Sequence, residues 1–504
     1  MKLSSLKHHY FFILDEYNGP KFIKQGEIMK IQTKLLGSLA LTLLLTLGMS
    51  GCGDDNTSST TDTTTSTDVI PFGDGEFAAY ERVAVFPTVK DANGDVDFNA
   101  TYAKVSALAN LFAIHVANID EPVEDNATFK ATNWILAGTE LPTVNNLTDA
   151  NVTGHILGIP TKLPIDPTEP VSITNTKKVK VVEVCNSGYA SQALGVVNVG
   201  GENGAKVAKG SYHATALPCE VTIYNDADGI YVDMLNPETI FTLFFTEVFT
   251  SVEMENLDFK EAMLALPTQV KKEIYSMIYS AFDAAGEDYN KTSEKLGTIY
   301  STMSSVLATT DTANGGKEPY RHYTYTASDP TKEFTATDAQ TIAAKIITVM
   351  TSDEEGVVGV QEAALKSILP STILGVTPSW KSGRVEPLKV PGGSWIVEAC
   401  SPTYAKEALT TGEFHTGALP CEIAVTVNPD NNNTIDVSFL NPEFMFGAMF
   451  ADGLADMNET QIADFNQIIE NINGDLKTIV DYAMDNNISE IRAYSDEKIT
   501  PIVY

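Results

Sequence analysis

Positive charge is scarce in this chain of 504 residues, which has 33 Lys and Arg against 66 Asp and Glu and a formal net charge of −33. A surface with this balance repels phosphate backbones, so nucleic acid is excluded as a partner. The sequence also lacks a P-loop, G-x-G-x-x-G, G-x-S-x-G, H-E-x-x-H and an EF-hand loop. No catalytic residue is predicted, and a non-enzymatic role is preferred.

Long apolar runs are rare as well. Residues 35–49 form one near the N-terminus, but they are fewer than the about 20 residues that a membrane-spanning helix needs and suit the apolar core of an export signal. Lys30 and Lys34 precede this run, and Ser50 and Gly51 lead directly to Cys52. The pattern resembles the lipobox of bacterial lipoproteins. This resemblance implies cleavage before Cys52 and a lipid on its thiol, which anchors the chain to a membrane.

The N-terminal residues are divided accordingly. Residues 1–28 contain acids and lack an apolar core, which indicates a mis-annotated extension before a true start at Met29. Residues 29–51 are the lipoprotein signal peptide, and residues 52–74 are the lipidated cysteine and a disordered Thr/Ser/Asp linker. The predicted location is the cell envelope. Gly53 is not the acidic residue of an inner-membrane retention signal, which favours the outer membrane, facing the periplasm.

An internal duplication organises the rest of the sequence. VVEVCNSGYASQAL at 181–194 matches IVEACSPTYAKEAL at 396–409, and YHATALPCEVTIY at 212–224 matches FHTGALPCEIAVT at 414–426. VDMLNPETIFTLFF at 232–245 then matches VSFLNPEFMFGAMF at 437–450. The order is the same in both copies, which predicts one module at 75–312 and a second at 313–504, each with trailing helical material at 258–307 and 459–484.

The shared motifs predict local structure. Each β-branched run ends at a cysteine, and Asn186 or Ser401 then caps a short helix, with Pro402 suited to its first turn. The positive end of that helix is expected to lower the pKa of the preceding thiol. Asn-Pro-Glu, at Asn236 and again at Asn441, is a second helix-start signature.

These motifs resemble the domain-of-unknown-function 302 family: strand, Cys, Asn/Ser-x-x-Tyr-Ala-x-x-Ala-Leu, then Leu-Pro-Cys and a strand, then Asn-Pro-Glu. The resemblance implies small α+β domains that tend to dimerise, with no settled biochemical activity. The fold class is therefore predicted as α+β: two homologous modules, each an antiparallel sheet packed with helices. If single modules dimerise, the tandem copies are expected to pack as an intramolecular pseudo-dimer.

The predicted lipid attachment uses the thiol of Cys52. Two cysteines then remain in each copy: Cys185 and Cys219 in the first, and Cys400 and Cys421 in the second. Three pairings are possible, and the duplication favours Cys185 with Cys219 and Cys400 with Cys421 as disulfides in an exported protein. Two alternatives stay open, a pair of reactive thiols in each copy or a metal or haem site.

Two histidines bear on the second alternative. His213 and His415 each lie six residues before the second cysteine of their copy, so they are the candidate ligands that would join the thiols at such a site. No cofactor is predicted otherwise.

The preferred function is that of a membrane-anchored envelope lipoprotein that binds a small ligand or a protein partner. The alternatives are a thiol redox or sulfur-handling protein and a metal- or haem-binding module that uses the paired cysteines and histidines.

Overall fold

Two antiparallel sheets with the same strand order organise the protein. The computed structural model describes residues 76–117, 134–136, 156–159, 179–199, 205–217, 219–249, 256–301, 305–306, 318–351, 380–382, 386–419, 421–487 and 491–496. The predicted extension (1–28), signal peptide (29–51) and lipidated cysteine with its linker (52–74) lie outside the described residues. Residue 75, where the first module is predicted to begin, and the predicted module boundary at 312 and 313 lie outside them as well. In the described residues, no helix is long and apolar enough to span a membrane.

The first sheet has seven strands in the order β2-β4-β7-β8-β1-β9, with β3 also paired to β4. Its strands are β1 (Phe77–Phe86), β2 (Trp134–Leu136), β3 (Ile156–Ile159), β4 (Val179–Asn186), β7 (Cys219–Asn225), β8 (Ile230–Leu235) and β9 (Asn290–Tyr300). A separate hairpin consists of β5 (Val196–Val199) and β6 (Ala205–Ala208).

The second sheet repeats this arrangement strand for strand, in the order β11-β13-β14-β15-β10-β16 with β12 paired to β13. Its strands are β10 (Tyr320–Ala327), β11 (Lys381–Ser382), β12 (Leu388–Val390), β13 (Ser394–Cys400), β14 (Cys421–Val427), β15 (Thr434–Leu440) and β16 (Ile491–Asp496). Both sheets are antiparallel throughout. The predicted α+β class with two modules is confirmed.

Helices follow the strands in the same order in both modules. The first module contains α1 (Phe98–Ala117), α2 (Ser187–Ala193), α3 (Pro237–Phe244), α4 (Thr246–Phe249) and α5 (Leu257–Ala285). The second contains α6 (Ala336–Thr351), α7 (Pro402–Ala408), α8 (Pro442–Met449), α9 (Ala451–Ala455) and α10 (Glu459–Asn487). Each module also has a 3-10 helix, Ser211–Ala216 in the first and Glu413–Ala418 in the second.

The predicted helix starts are confirmed at three of four positions. The Asn186 side chain accepts hydrogen bonds from the N–H groups of Gly188 and Tyr189 at the start of α2. Asn236 and Asn441 accept in the same way from the backbone two residues later, each with proline in the first turn. Ser401 occupies the cap position of α7 but makes no side-chain capping bond.

The predicted helical segment at 258–307 is only partly correct. Helix α5 ends at Ala285, and Gly286, with φ of +70°, reverses the chain. The following residues form β9, an edge strand paired with β1. Thr292, Thr298 and Ile299 are β-branched and favour a strand, and this signal is weaker than the long apolar periodicity of the helix before it.

One face of each sheet is covered by helices: α1 and α5 pack on the first sheet, and α6 and α10 on the second. Matching polar clusters join these layers. In the first module Glu273 of α5 accepts hydrogen bonds from Trp134 and Tyr189. In the second, Asp475 of α10 accepts from Trp380 and Tyr404. Tyr189 and Tyr404 are equivalent in the repeat, and each hydrogen-bonds an acid on the long helix of its module. They therefore hold the short helices α2 and α7 against α5 and α10.

The opposite faces of the sheets point toward the other module. The 3-10 helix Ser211–Ala216 packs on β13, β14 and β15 of the second sheet, and Glu413–Ala418 packs on β4, β7 and β8 of the first. Aromatic contacts repeat this exchange: the Tyr320 ring meets Tyr212 and His213, while the Tyr80 ring meets Phe414 and His415. The contact between the modules is thus reciprocal.

One inter-module contact comes from the β5–β6 hairpin, which has no equivalent strand pair in the described part of the second module. The Ala208 N–H at the end of the β5–β6 hairpin donates to the Gly392 carbonyl of the second module at 3.4 Å. Gly392 has φ of +87°, and a Cβ there would lie 2.3 Å from the Ala208 Cβ. Only glycine fits both the backbone conformation and the close approach.

Replacing Gly392 with alanine tests this contact. Gly392→Ala should destabilise the protein by the roughly 1–2 kcal/mol of a left-handed alanine plus about 1–3 kcal/mol of overpacking against Ala208. Gly94→Ala is the matched control, because Gly94 has φ of +89° but nothing within 4 Å of an added Cβ. Urea denaturation should give a larger loss for Gly392→Ala, and equal losses would contradict a close contact between the modules.

Candidate functional site

Four glutamates lie on the sheet faces that point toward the other module. Glu183 on β4 is directly opposite Glu220 on β7, and Glu398 on β13 is directly opposite Glu422 on β14. All four are buried, with exposed fractions of 0%, 5%, 1% and 3% in that order. They occupy equivalent positions in the repeat, two residues before the first cysteine and one residue after the second.

A cavity of about 40 Å³ lies between the two modules. Its twelve lining residues form six pairs related by the repeat, so the cavity lies on the local twofold axis that relates the modules. The pairs are Thr215 with Gly417, Ala216 with Ala418, Glu220 with Glu422, Leu235 with Leu440, Ile240 with Met445, and Phe244 with Met449.

Carboxylate oxygens from both modules converge beside this cavity. One oxygen each of Glu183, Glu220 and Glu422 lies within 4.8 Å of the other two. Among the described residues, no other group of three His, Cys, Asp or Glu side chains meets this condition. The second oxygen of Glu220 has no hydrogen-bond partner there, and neither does the hydroxyl of Thr222, the next residue on the same face of β7. We call Glu183, Glu220, Glu398 and Glu422 the axial glutamates.

Burial changes the pKa of two axial glutamates, Glu183 and Glu220. Loss of solvent raises the pKa of Glu183 to about 8. The pKa of Glu220 is also raised well above its ordinary value, first by burial and then by repulsion from Glu183 and Glu422. Glu183 and Glu220 therefore favour their protonated forms at neutral pH unless a cation replaces the protons.

All four predicted cysteines are free thiols, so the predicted disulfides are not formed in the structure. In the sheet register, Cys219 pairs with Val184 and Cys421 with Ala399, one residue away from Cys185 and Cys400. The paired residues are therefore offset by one position, yet the two thiols of each module remain near enough for Cys185 to raise the pKa of Cys219 and for Cys400 to raise that of Cys421.

The predicted lowering of the thiol pKa is wrong. Burial, with added repulsion from Glu422 and Glu183, raises the pKa of Cys185 to about 12, and burial with repulsion from Glu220 raises that of Cys400 to about 12. The helices that follow these cysteines have only seven residues each. Loss of hydration and the adjacent carboxylates outweigh their positive ends, so the thiols are poor nucleophiles at neutral pH.

The two predicted histidines belong to the contact between the modules. Both are fully buried. The Nδ1 of His213 lies 3.0 Å from the Tyr320 hydroxyl and its Nε2 lies 2.7 Å from Glu247. Nδ1 of His415 lies 2.6 Å from the Thr411 hydroxyl, and its Nε2 is 3.1 Å from Asp452.

Each histidine thus has a hydroxyl beside Nδ1 and a carboxylate beside Nε2, although the residues that supply the hydroxyl differ between the copies. Neither histidine joins the thiols in a three-ligand group within the described residues.

The axial glutamates are not among the residues predicted from the motifs, although the sequence carries a signal for them. VVEVC and IVEAC each contain a glutamate, and so does each Leu-Pro-Cys-Glu motif, which leaves four acids in strands that are otherwise apolar. An acid at a buried strand position is uncommon and often functional. Oxygen-only ligands of this kind suit hard divalent cations such as Mg²⁺, Mn²⁺ and Ca²⁺.

Comparison with known proteins supports one part of the family resemblance. The model of the domain of unknown function DUF302 matches residues 393–472, a range that includes Glu398 and Glu422 and lies in the second module. No curated protein and no solved structure matches the chain. The second module is thus similar to a domain whose activity is unknown.

The burial of Glu183 predicts how stability depends on pH. Its pKa is raised in the folded state, so the folded protein retains a proton that the unfolded chain releases above its ordinary pKa of 4.5. With EDTA present, the free energy of unfolding should fall as pH rises from about 4.5 to 8, each pKa unit corresponding to about 1.4 kcal/mol.

Glu183→Gln should make the free energy of unfolding less dependent on pH and should raise it at pH 8. Glu294→Gln is the control, because the Glu294 side chain lies on the same sheet but is 55% exposed, and it should have neither effect. Urea unfolding across this pH range measures the effect. A pH dependence that is the same in both variants would rule out Glu183 as its source.

Proposed function

We propose that this chain is a lipid-anchored envelope protein that binds a divalent cation at a carboxylate site shared by its two modules. The observation that carries the proposal is the convergence of Glu183, Glu220 and Glu422 beside a cavity on the local twofold axis. Glu220 supplies an oxygen that has no hydrogen-bond partner among the described residues.

The energetics favour a cation at this position. Carboxylates that are removed from water and brought near one another repel, and each must be protonated or compensated. A divalent ion replaces the protons and is held by oxygen ligands, which suits Mg²⁺, Mn²⁺ or Ca²⁺. Such binding releases protons and strengthens as pH rises.

The proposed site also accounts for the presence of two modules in one chain. Glu183 and Glu220 come from the first module and Glu422 from the second, so neither module alone contains the three converging ligands. We therefore propose that the tandem modules act as an intramolecular pseudo-dimer. The reciprocal packing of the two 3-10 helices supports this, because each crosses onto the sheet of the other module.

The envelope location rests on the sequence. Residues 29–51 have the charge and apolar pattern of an export signal, and Cys52 follows two small residues. A lipid on Cys52 together with the polar segment at 52–74 would hold the modules away from the bilayer surface. The strong negative charge of the chain keeps it soluble beside anionic headgroups.

Cation binding is tested by titrating the mature protein with Mn²⁺ at pH 8 and measuring bound ion by equilibrium dialysis. The wild type should bind Mn²⁺, and Glu220→Gln should weaken binding by at least about tenfold because it removes one charged ligand. Glu294→Gln changes an exposed acid of the same sheet and should bind as the wild type does. Mg²⁺ and Ca²⁺ are added as competitors.

Unchanged binding in Glu220→Gln, or no binding by the wild type, would contradict the proposed site. Near-ultraviolet circular dichroism of each variant shows whether its tertiary packing is preserved, so a folding defect is not mistaken for a lost ligand.

The anchor is tested separately in a bacterial host. The wild type should be recovered in the membrane fraction, with a lipid-modified peptide that begins at Cys52. The Cys52→Ser variant should carry no lipid, and its chain should either be released or remain unprocessed. The Cys219→Ser variant should be processed normally. A mature protein that begins elsewhere, or a Cys52→Ser variant that is still lipidated, would overturn this part of the proposal.

A further inference from the structure

We infer that the axial glutamates form a site for two divalent cations, in which Glu220 and Glu422 bridge the ions while Glu183 and Glu398 each bind one. This inference rests on the proposed function and deepens it, because it assigns the number of ions and the role of each ligand. It also adds Glu398, which does not belong to the group of three converging carboxylates.

The sheet register places a second pair of glutamates where an equivalent half-site would form. Glu183 faces Glu220 across neighbouring strands, and Glu398 faces Glu422 in the same way. The local twofold axis exchanges these pairs. If Glu183, Glu220 and Glu422 hold one ion, then Glu398, Glu422 and Glu220 occupy the equivalent positions for a second. Glu398 is 1% exposed, and its side chain must turn toward Glu422 to complete that half-site.

Glu220 and Glu422 are placed to bridge. Both line the axial cavity, whereas Glu183 and Glu398 do not, so the first two lie nearer the axis. Glu220 also approaches the other module directly: its Oε2 lies 3.8 Å from where a Cβ would stand at Gly417. A carboxylate on the axis has two oxygens, one for each side.

Charge and space both favour two ions. Four ionised axial glutamates bring four negative charges, which two divalent cations balance, whereas one ion would leave two charges to be protonated in a buried site. A water-sized sphere occupies roughly 10–15 Å³. The axial cavity of about 40 Å³ therefore has room for two such spheres even before the surrounding side chains adjust.

The number of bound ions decides the question. The mature protein is dialysed against excess Mn²⁺ at pH 8, and bound Mn²⁺ is counted per chain while its electron paramagnetic resonance spectrum is recorded. We expect two Mn²⁺ per chain and a spectrum broadened by coupling between neighbouring ions. Glu398→Gln and Glu183→Gln should each bind one Mn²⁺ and show the six-line spectrum of an isolated ion, while Glu294→Gln retains two.

The outcomes separate the inference from the function it rests on. One Mn²⁺ per wild-type chain, with an isolated-ion spectrum and no change in Glu398→Gln, would overturn the two-ion site and leave the proposed function standing. No bound Mn²⁺ in the wild type would overturn both. The wild-type count and spectrum do not depend on the folding of any variant, so the test is decisive even if a glutamine substitution perturbs the structure.

Discussion

Acidic side chains buried between two sheets impose the main physical constraint on this protein. Glu183, Glu220, Glu398 and Glu422 are nearly inaccessible, yet they lie where the modules must approach each other. Removing a carboxylate from water costs several kcal/mol unless it is protonated or compensated by a cation. The contact between the modules and the protonation of the glutamates are therefore coupled, and a ligand that replaces the protons would also act on the packing of the two sheets.

Because of the duplication, the buried glutamates of both modules lie at one position inside a single chain. Each 3-10 helix reaches the other module's sheet, and Tyr80 and Tyr320 meet the histidine of the opposite copy. A single module would have to assemble such a site with a second chain, and covalent linkage supplies the partner at high effective concentration. The β5–β6 hairpin adds a contact in one direction only, through Ala208 and Gly392, so the two halves have diverged around a symmetric centre.

The cysteines and histidines show how tertiary surroundings override a local motif. Spacing alone made the two cysteines of each copy a natural pair, but strand register offsets them by one residue. A helix start alone predicted an acidic thiol, but burial and the neighbouring glutamates raise the pKa of Cys185. His213 and His415 lie where the modules meet: the His213 ring contacts Tyr320 and the His415 ring contacts Tyr80, each across the module boundary.

The sequence by itself determined the local elements: the duplicated strands and short helices, the caps at Asn186, Asn236 and Asn441, and the α+β class. These depend on propensity, periodicity and capping, which act over a few residues. Only the tertiary structure decided that Glu183 and Glu220 converge with Glu422, which lies about two hundred residues further along the chain. Such convergence depends on sheet register and on packing between modules, and neither leaves a mark within one short segment.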